Sequence, residues 1–126
     1  MPVYSKEGYK LCDIAINKKN MSKIVKQYKE IITDVCERAV DLYVPGIVVE
    51  IELLPPTTYN PDWGIEIVKE VKKVMNYFEE EKNLKSILRV TPVDIREDKH
   101  SKHMWTGEYW NKIMEVFTRS AQNGAD

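Results

Sequence analysis

The sequence predicts an α/β fold on a parallel sheet, in the order helix, strand, helix, strand, helix. Three observations carry that reading. Apolar residues recur at three- and four-residue steps in three long segments. Two short runs rich in β-branched residues lie between those segments. Each strand is followed by a helix long enough for a right-handed crossover, which makes neighbouring strands parallel.

The first helical pattern runs from about Met21 to Tyr43, with Ile24, Tyr28, Ile31, Val35, Ala39 and Leu42 as its expected buried stripe. Asn20 or Ser22 can cap its start. Pro45-Gly46 is expected to end it, because proline disfavours helix in the residue before it. Ile47 to Leu54 then reads as a strand stopped by Pro55-Pro56. Its parity puts Ile47, Val49, Ile51 and Leu53 on one face and Val48, Glu50, Glu52 and Leu54 on the other. One face is wholly apolar, and the other carries two carboxylates towards its C-terminal end.

A loop leads to the second helix, with Asn60 at the N-cap, Pro61 at the first helical position and Asp62 in the first turn. Ile65, Val68, Val71, Met75 and Phe78 form its stripe. Ser86 to Thr91 is the second strand, with Ile87, Arg89 and Thr91 on one face and Leu88 and Val90 on the other. Asp94 and Glu97 have capping-box spacing for a short helical turn. The third helix begins near Thr106, with Trp110, Ile113, Met114, Phe117 and Ala121 as its stripe, and Asn123-Gly124 terminates it. Residues 1–20 carry no clear period and stay unassigned.

Composition narrows the classes. The chain has 126 residues, with 19 Lys+Arg against 20 Asp+Glu and a formal charge of -1, which argues against a dedicated nucleic-acid binder. No apolar run approaches the ~18 residues that cross a bilayer, and the N-terminus lacks a signal-peptide core. Cys12 and Cys36 are too few for a disulfide framework, so a cytoplasmic location is expected.

Two strands cannot make an independently stable parallel sheet with both faces covered. A complete (β/α)8 barrel typically needs about 250 residues. Residues 21–126 therefore read as the first β/α units of an incomplete (β/α)8 (TIM) barrel, a piece of a larger α/β protein.

Four segments carry a resemblance: YKEIITDVCERAV (Tyr28 to Val40), EIELLPPTTYNPDWGIEI (Glu50 to Ile67), LRVTPVDIRE (Leu88 to Glu97) and the closing AQNGAD. In order and separation they resemble the catalytic subunit of methanol:corrinoid methyltransferases, over most of this chain and less than a third of a full-length enzyme. The resemblance implies a zinc-dependent (β/α)8 enzyme that passes a methyl group from methanol, or a related methylated compound, to the Co(I) of a corrinoid on a partner protein. It implies a homo-oligomer for the complete enzyme. It also implies a zinc held by one glutamate and two cysteines, all beyond the last matched segment. Cys12 and Cys36 do not align with those ligands, so neither zinc nor corrinoid is expected to bind this chain alone. The rival expectation, from a different class, is a non-catalytic binding or assembly module derived from the barrel.

Within that frame Glu50 and Glu52 are the candidate catalytic residues, pointing into the barrel with Glu52 nearer the C-terminal rim. Two carboxylates there can bind a metal, position a hydroxyl or accept a proton. The competing reading pairs them with Arg89 as a buried ion pair; losing one partner from such a pair costs about 3–5 kcal/mol. Arg89, Thr91, Asp94 and Arg96 are candidates for substrate or partner binding, because loops after barrel strands build active sites. Helix capping is the weightier role for Asp94 and Glu97, and a surface salt bridge rivals binding for Arg96. His100 and His103 lack a third ligand and do not close a zinc site. Cys12 and Cys36 read as buried small hydrophobes.

Overall fold

The computed structural model describes residues 18–53, 57, 60–92 and 107–126. Its elements are α1 (Met21–Asp41), β1 (Gly46–Leu53), α2 (Pro61–Lys82), β2 (Lys85–Pro92) and α3 (Gly107–Gln122). The strands pair in parallel, from Gly46 opposite Lys85 to Leu53 opposite Pro92. Class, element order and strand direction all match the sequence reading. The unassigned segment is described only from residue 18 onward.

Helix ends explain the boundaries. Tyr43 takes a left-handed backbone (φ 57°); its N–H donates to Val40 O (3.1 Å) and the Val44 N–H to Ala39 O (3.0 Å). This double bond satisfies the last carbonyls of α1. The helix thus stops at Asp41, two residues before Tyr43, and the turn at 42–44 makes the stop ahead of Pro45-Gly46. The same pattern ends α3 at Gly124 (φ 96°). There the Gly124 N–H donates to Ala121 O and the Ala125 N–H to Ser120 O.

The core lies between the sheet and α2. Val49, Ile51 and Leu53 of β1 and Leu88 and Val90 of β2 are buried against Ile67, Val68, Val71 and Met75 of α2. The stripe expected on α2 is buried throughout, from Ile65 to Phe78. Ile67 joins it, because α2 is the middle helix, with α1 and α3 both packed on it.

On the two outer helices the expected stripes are turned in part, although on α1 Ala39 is buried and Ile24 and Tyr28 pack half-buried against the core as expected. On α1, Met21, Val25, Ile32, Cys36 and Ala39 are buried, while Ile31, Val35 and Leu42 of the expected set are exposed. Both sets obey helical spacing, since α1 is apolar around much of its circumference. The set holding the small Cys36 and Ala39 lets α1 approach α2 closely. On α3, Val116 and Ser120 are buried, whereas Met114, Phe117 and Ala121 are exposed and Ile113 is half-buried. The side chain of Trp110 lies outside the described residues.

Two polar links fix the outer helices on α2. Glu70 accepts from Lys73 (2.8 Å) and pairs with Lys29 of α1 (3.3 Å). Arg119 of α3 reaches Asp62 in the first turn of α2 (2.8 Å) and Glu115 on its own helix (3.1 Å). The burial of Val116 and Ser120 sets the rotation of α3 and turns the Met114–Phe117 face outward, and the Arg119–Asp62 pair is compatible with it.

Candidate functional site

Among the described residues the sheet is covered on one side only. Strand alternation sends Val49, Ile51, Leu53, Leu88 and Val90 towards the helices. It leaves Val48, Glu50 and Glu52 of β1 beside Ile87, Arg89 and Thr91 of β2 on the opposite face, all exposed. The register pairs them as Val48–Ile87, Glu50–Arg89 and Glu52–Thr91. The open face is therefore graded along the strands. It opens with Lys85 beside Gly46 and is apolar in the next layer, where Val48 is 60% and Ile87 47% exposed. It is charged in the middle and polar at the C-terminal end.

Sequence parity put Glu50 and Glu52 on one face of the first strand and Arg89 and Thr91 on one face of the second, and the structure brings all four onto one surface. It does not form the expected buried ion pair. Among the described residues no ion pair joins Glu50 or Glu52 to Arg89, and all three are exposed. With no described element over this face, water solvates each charge and nothing compels them to pair. Asp94, Arg96 and Glu97 lie outside the described residues, as do His100, His103 and Cys12.

Cys36 is buried at 1% exposure on α1, facing α2, and desolvation pushes its thiol pKa up. It is a packing residue, as its sequence context indicated. Among the described residues no group of three or more His, Cys, Asp or Glu side chains can hold a metal ion. The described residues therefore do not fit the zinc site that the sequence resemblance implies.

A groove of about 530 Å³ runs between α1 and α2, with Lys26, Lys29, Glu30, Glu66 and Glu70 among its walls. It lies on the helix side, behind the sheet. Glu70 is held there by Lys73 first and Lys29 second, which keep its carboxyl below the ordinary range. That groove is an inter-helix seam. Sequence spacing gave no hint of the Arg119–Asp62 pair, which spans 57 residues between two helices. It also missed how tightly α2 meets the end of β1 at Gly64. A glycine in the first turn of a helix opened by Asn60-Pro61 was the available signal.

The last residue extends the sheet. The Asp126 N–H donates to Leu88 O (2.8 Å), and the Leu88 N–H donates to Asp126 Oδ2 (3.0 Å). Neighbouring β2 residues alternate their hydrogen-bonding edges, and the Lys85 N–H points to Pro45 ahead of β1. Asp126 thus occupies the edge of β2 opposite β1, where a third strand would pair.

Comparison with known proteins places this geometry. A family model described as the methanol-cobalamin methyltransferase B subunit (MtaB) matches residues 8–126. The methanol–corrinoid protein co-methyltransferase of Methanosarcina barkeri (strain Fusaro / DSM 804) is 36% identical over 104 residues, 82% of this chain and 22% of that protein. The crystal structure of the methanol:cobalamin methyltransferase complex MtaBC from Methanosarcina barkeri superposes with a TM-score of 0.74 at 35% identity. That match covers 84% of this chain and 23% of that one. The chain spans about a fifth of the length of these relatives. No described helix is long and apolar enough to cross a membrane.

Proposed function

Because the chain belongs to the methanol-cobalamin methyltransferase B subunit family, we propose that it forms the opening β/α units of a (β/α)8 methyltransferase. In complete form that enzyme moves a methyl group from methanol to the Co(I) corrinoid of a partner protein. The graded open face carries this reading. A barrel interior is filled by apolar side chains at the N-terminal end of the strands and carries its chemistry at the C-terminal end. Val48 and Ile87 followed by Glu50–Arg89 and Glu52–Thr91 give that sequence of layers on one uncovered surface. Asp126 on the free edge of β2 supports it, since a barrel adds its strands there.

On this reading Glu52 and Thr91 stand nearest the catalytic rim. The Glu52 carboxylate accepts a hydrogen bond from the methanol hydroxyl, and Thr91 offers a second donor or acceptor beside it. Glu50 and Arg89 form the layer beneath. Once enclosed, Arg89 supplies the countercharge beside the neighbouring carboxylates. Closure also excludes water, which strengthens each of these interactions. Zinc, implied by the resemblance, has no fitting ligand set among the described residues, so these side chains bind and orient substrate and carry no metal. Asp94 and Arg96, in the segment after β2, complete the proposed set for substrate or partner contact.

The test is methyl transfer by the complete protein with a Co(I) corrinoid protein and methanol, followed by the change in corrinoid absorbance. Glu52→Gln is expected to lower turnover by at least tenfold, with Glu50→Gln and Arg89→Met intermediate. Full turnover in Glu52→Gln removes the catalytic assignment. Absence of transfer by the unsubstituted protein, together with a stable assembly through the open face, turns the conclusion to the assembly module.

A further inference from the structure

The first turn of α2 meets the connection from β1, at Thr57, at a distance that only glycine permits, and it lies close against Leu53 at the end of β1. A Cβ placed on Gly64 would lie 2.6 Å from the Thr57 carbonyl oxygen and 3.1 Å from Leu53 Cδ1. The first contact is with main chain and cannot be relieved by a side-chain rotation. Leu53 is fully buried, and Thr57 is 2% exposed. Gly64 sits in the body of the helix after Asn60, Pro61 and Asp62, a position where glycine normally weakens the helix relative to alanine. No left-handed backbone at Gly64 calls for it, since the positive φ glycine among the described residues is Gly124. Close approach is the remaining reason.

That approach bears on the candidate site. Glu52 directly precedes Leu53, and Thr57 belongs to the connection between β1 and α2. The seat of α2 on Leu53 and Thr57 thus fixes how far the C-terminal end of β1 stands from the helix layer, and with it where Glu52 presents its carboxylate. We propose that Gly64 is a positioning residue: its missing side chain sets the spacing between the first turn of α2 and the end of β1, and so orients Glu52 at the open rim. The proposal rests on the rim assignment of Glu52 made above. It adds a residue that touches neither substrate nor cofactor.

The experiment compares Gly64→Ala with Ile67→Ala in the complete protein. Ile67 is equally buried on the same helix but faces the core one turn further along, so it serves as the control for lost stability. Amide hydrogen exchange at Thr57 and the kcat and KM for methanol are measured for both. Gly64→Ala is expected to speed Thr57 exchange at least tenfold. It is also expected to lower kcat at least tenfold and shift the pH profile of turnover, whereas Ile67→Ala lowers thermal stability with less than a twofold change in kcat. Equal kcat losses in the two variants, or unchanged Thr57 exchange in Gly64→Ala, overturn the proposal. If Gly64→Ala does not fold, Leu53→Ala probes the same contact from the strand side without a clash. It should reproduce the kcat loss and pH shift, and a normal pH profile there overturns the proposal equally. Should the unsubstituted protein transfer no methyl group from methanol, the functional reading fails, and Thr57 exchange still decides whether Gly64 sets the spacing.

Discussion

Replacing Arg89 by methionine removes the cation that lies between the carboxylates of the open sheet face and measures whether that face is enclosed. In the 126-residue chain Arg89 is exposed and lies opposite Glu50 in the register, with no ion pair between them among the described residues. Even a well-formed exposed pair contributes only about 0.2–1 kcal/mol. The substitution should therefore change unfolding free energy by no more than ~0.5 kcal/mol, as expected for a surface site. In a closed barrel the same residue faces inward beside two carboxylates. Its removal strands buried negative charge at a cost of about 3–5 kcal/mol. Urea unfolding of both lengths of protein, monitored by circular dichroism, gives the two values. They are compared as free energies because the denaturant slope grows with chain size. A loss above ~2 kcal/mol in the short chain would show that Glu50 and Arg89 pair without enclosure. A loss below ~1 kcal/mol in the complete protein would show that nothing encloses the face, and the barrel argument would fail with it.

Other consequences concern packing and titration. Met75→Ala, at a site 1% exposed in the core, should cost about 2–5 kcal/mol, while Leu42→Ala, 74% exposed just past α1, should stay within ~0.5 kcal/mol; thermal unfolding of the pair checks both. Glu70 has its carboxyl pKa lowered in the folded state, so its contribution is present above the unfolded carboxylate pKa and is lost as pH falls through the folded one. Glu70→Gln should flatten stability across that acidic window and leave neutral pH within about 1 kcal/mol, as befits a partly exposed pair; acid titrations of both proteins decide it. In a Cys12→Ser background, Cys36 should resist alkylation under native conditions and react promptly in denaturant, because burial both raises its thiol pKa and blocks access. Fast native labelling would contradict the α1–α2 packing described above.

What the sequence made legible follows from how many signals agreed. For α2, capping chemistry, apolar period and length all pointed one way, and its buried stripe is the expected one. Strand parity was equally firm, because alternation leaves two choices and the all-apolar face of β1 admits one. Hence the grouping of Glu50, Glu52, Arg89 and Thr91 could be read from residues alone. The outer helices could not be oriented that way. On α1 both Ile31/Val35 and Ile32/Cys36 fit a helical period, and the choice depends on which face meets α2. On α3 the face that packs holds Val116 and Ser120, and the accompanying Arg119–Asp62 contact spans 57 residues with no local spacing. The ion pair with Arg89 failed for a related reason: burial depends on what covers a face, and parity says only which residues share it.

Apart from Leu42, Tyr43 and Val44 in the turn after α1 and Tyr77 on α2, the exposed large apolar residues fall in three pairs, and this separates the two readings of the fold. Val48 and Ile87 lie on the bare sheet face, Ile31 and Val35 on α1, and Met114 and Phe117 on α3. Both outer helices pack on α2 and make no comparable contact with each other, so their exposed stripes sit at opposite flanks of the helix layer. Scattered apolar residues on a surface need no explanation, but paired ones on a sheet face and on both flanks do. An assembly module covers such surfaces through a docked copy, and one isologous contact accounts for one of the three. Extending the sheet at both edges and closing it into a ring accounts for all three together. New strands cover the bare face from within, and new helices lie against α1 on one side and α3 on the other. The two hydrogen bonds exchanged between Asp126 and Leu88 already lie along one of those edges. Ring closure is therefore the economical account of this surface. It also predicts where a dimer of the short chain would be weakest: relieving the sheet face by self-association leaves Ile31, Val35, Met114 and Phe117 in water. Ultracentrifugation of Met114→Lys/Phe117→Lys and of Val48→Lys/Ile87→Lys variants would show whether any one face governs association, and dependence on a single face alone would favour the module over the ring.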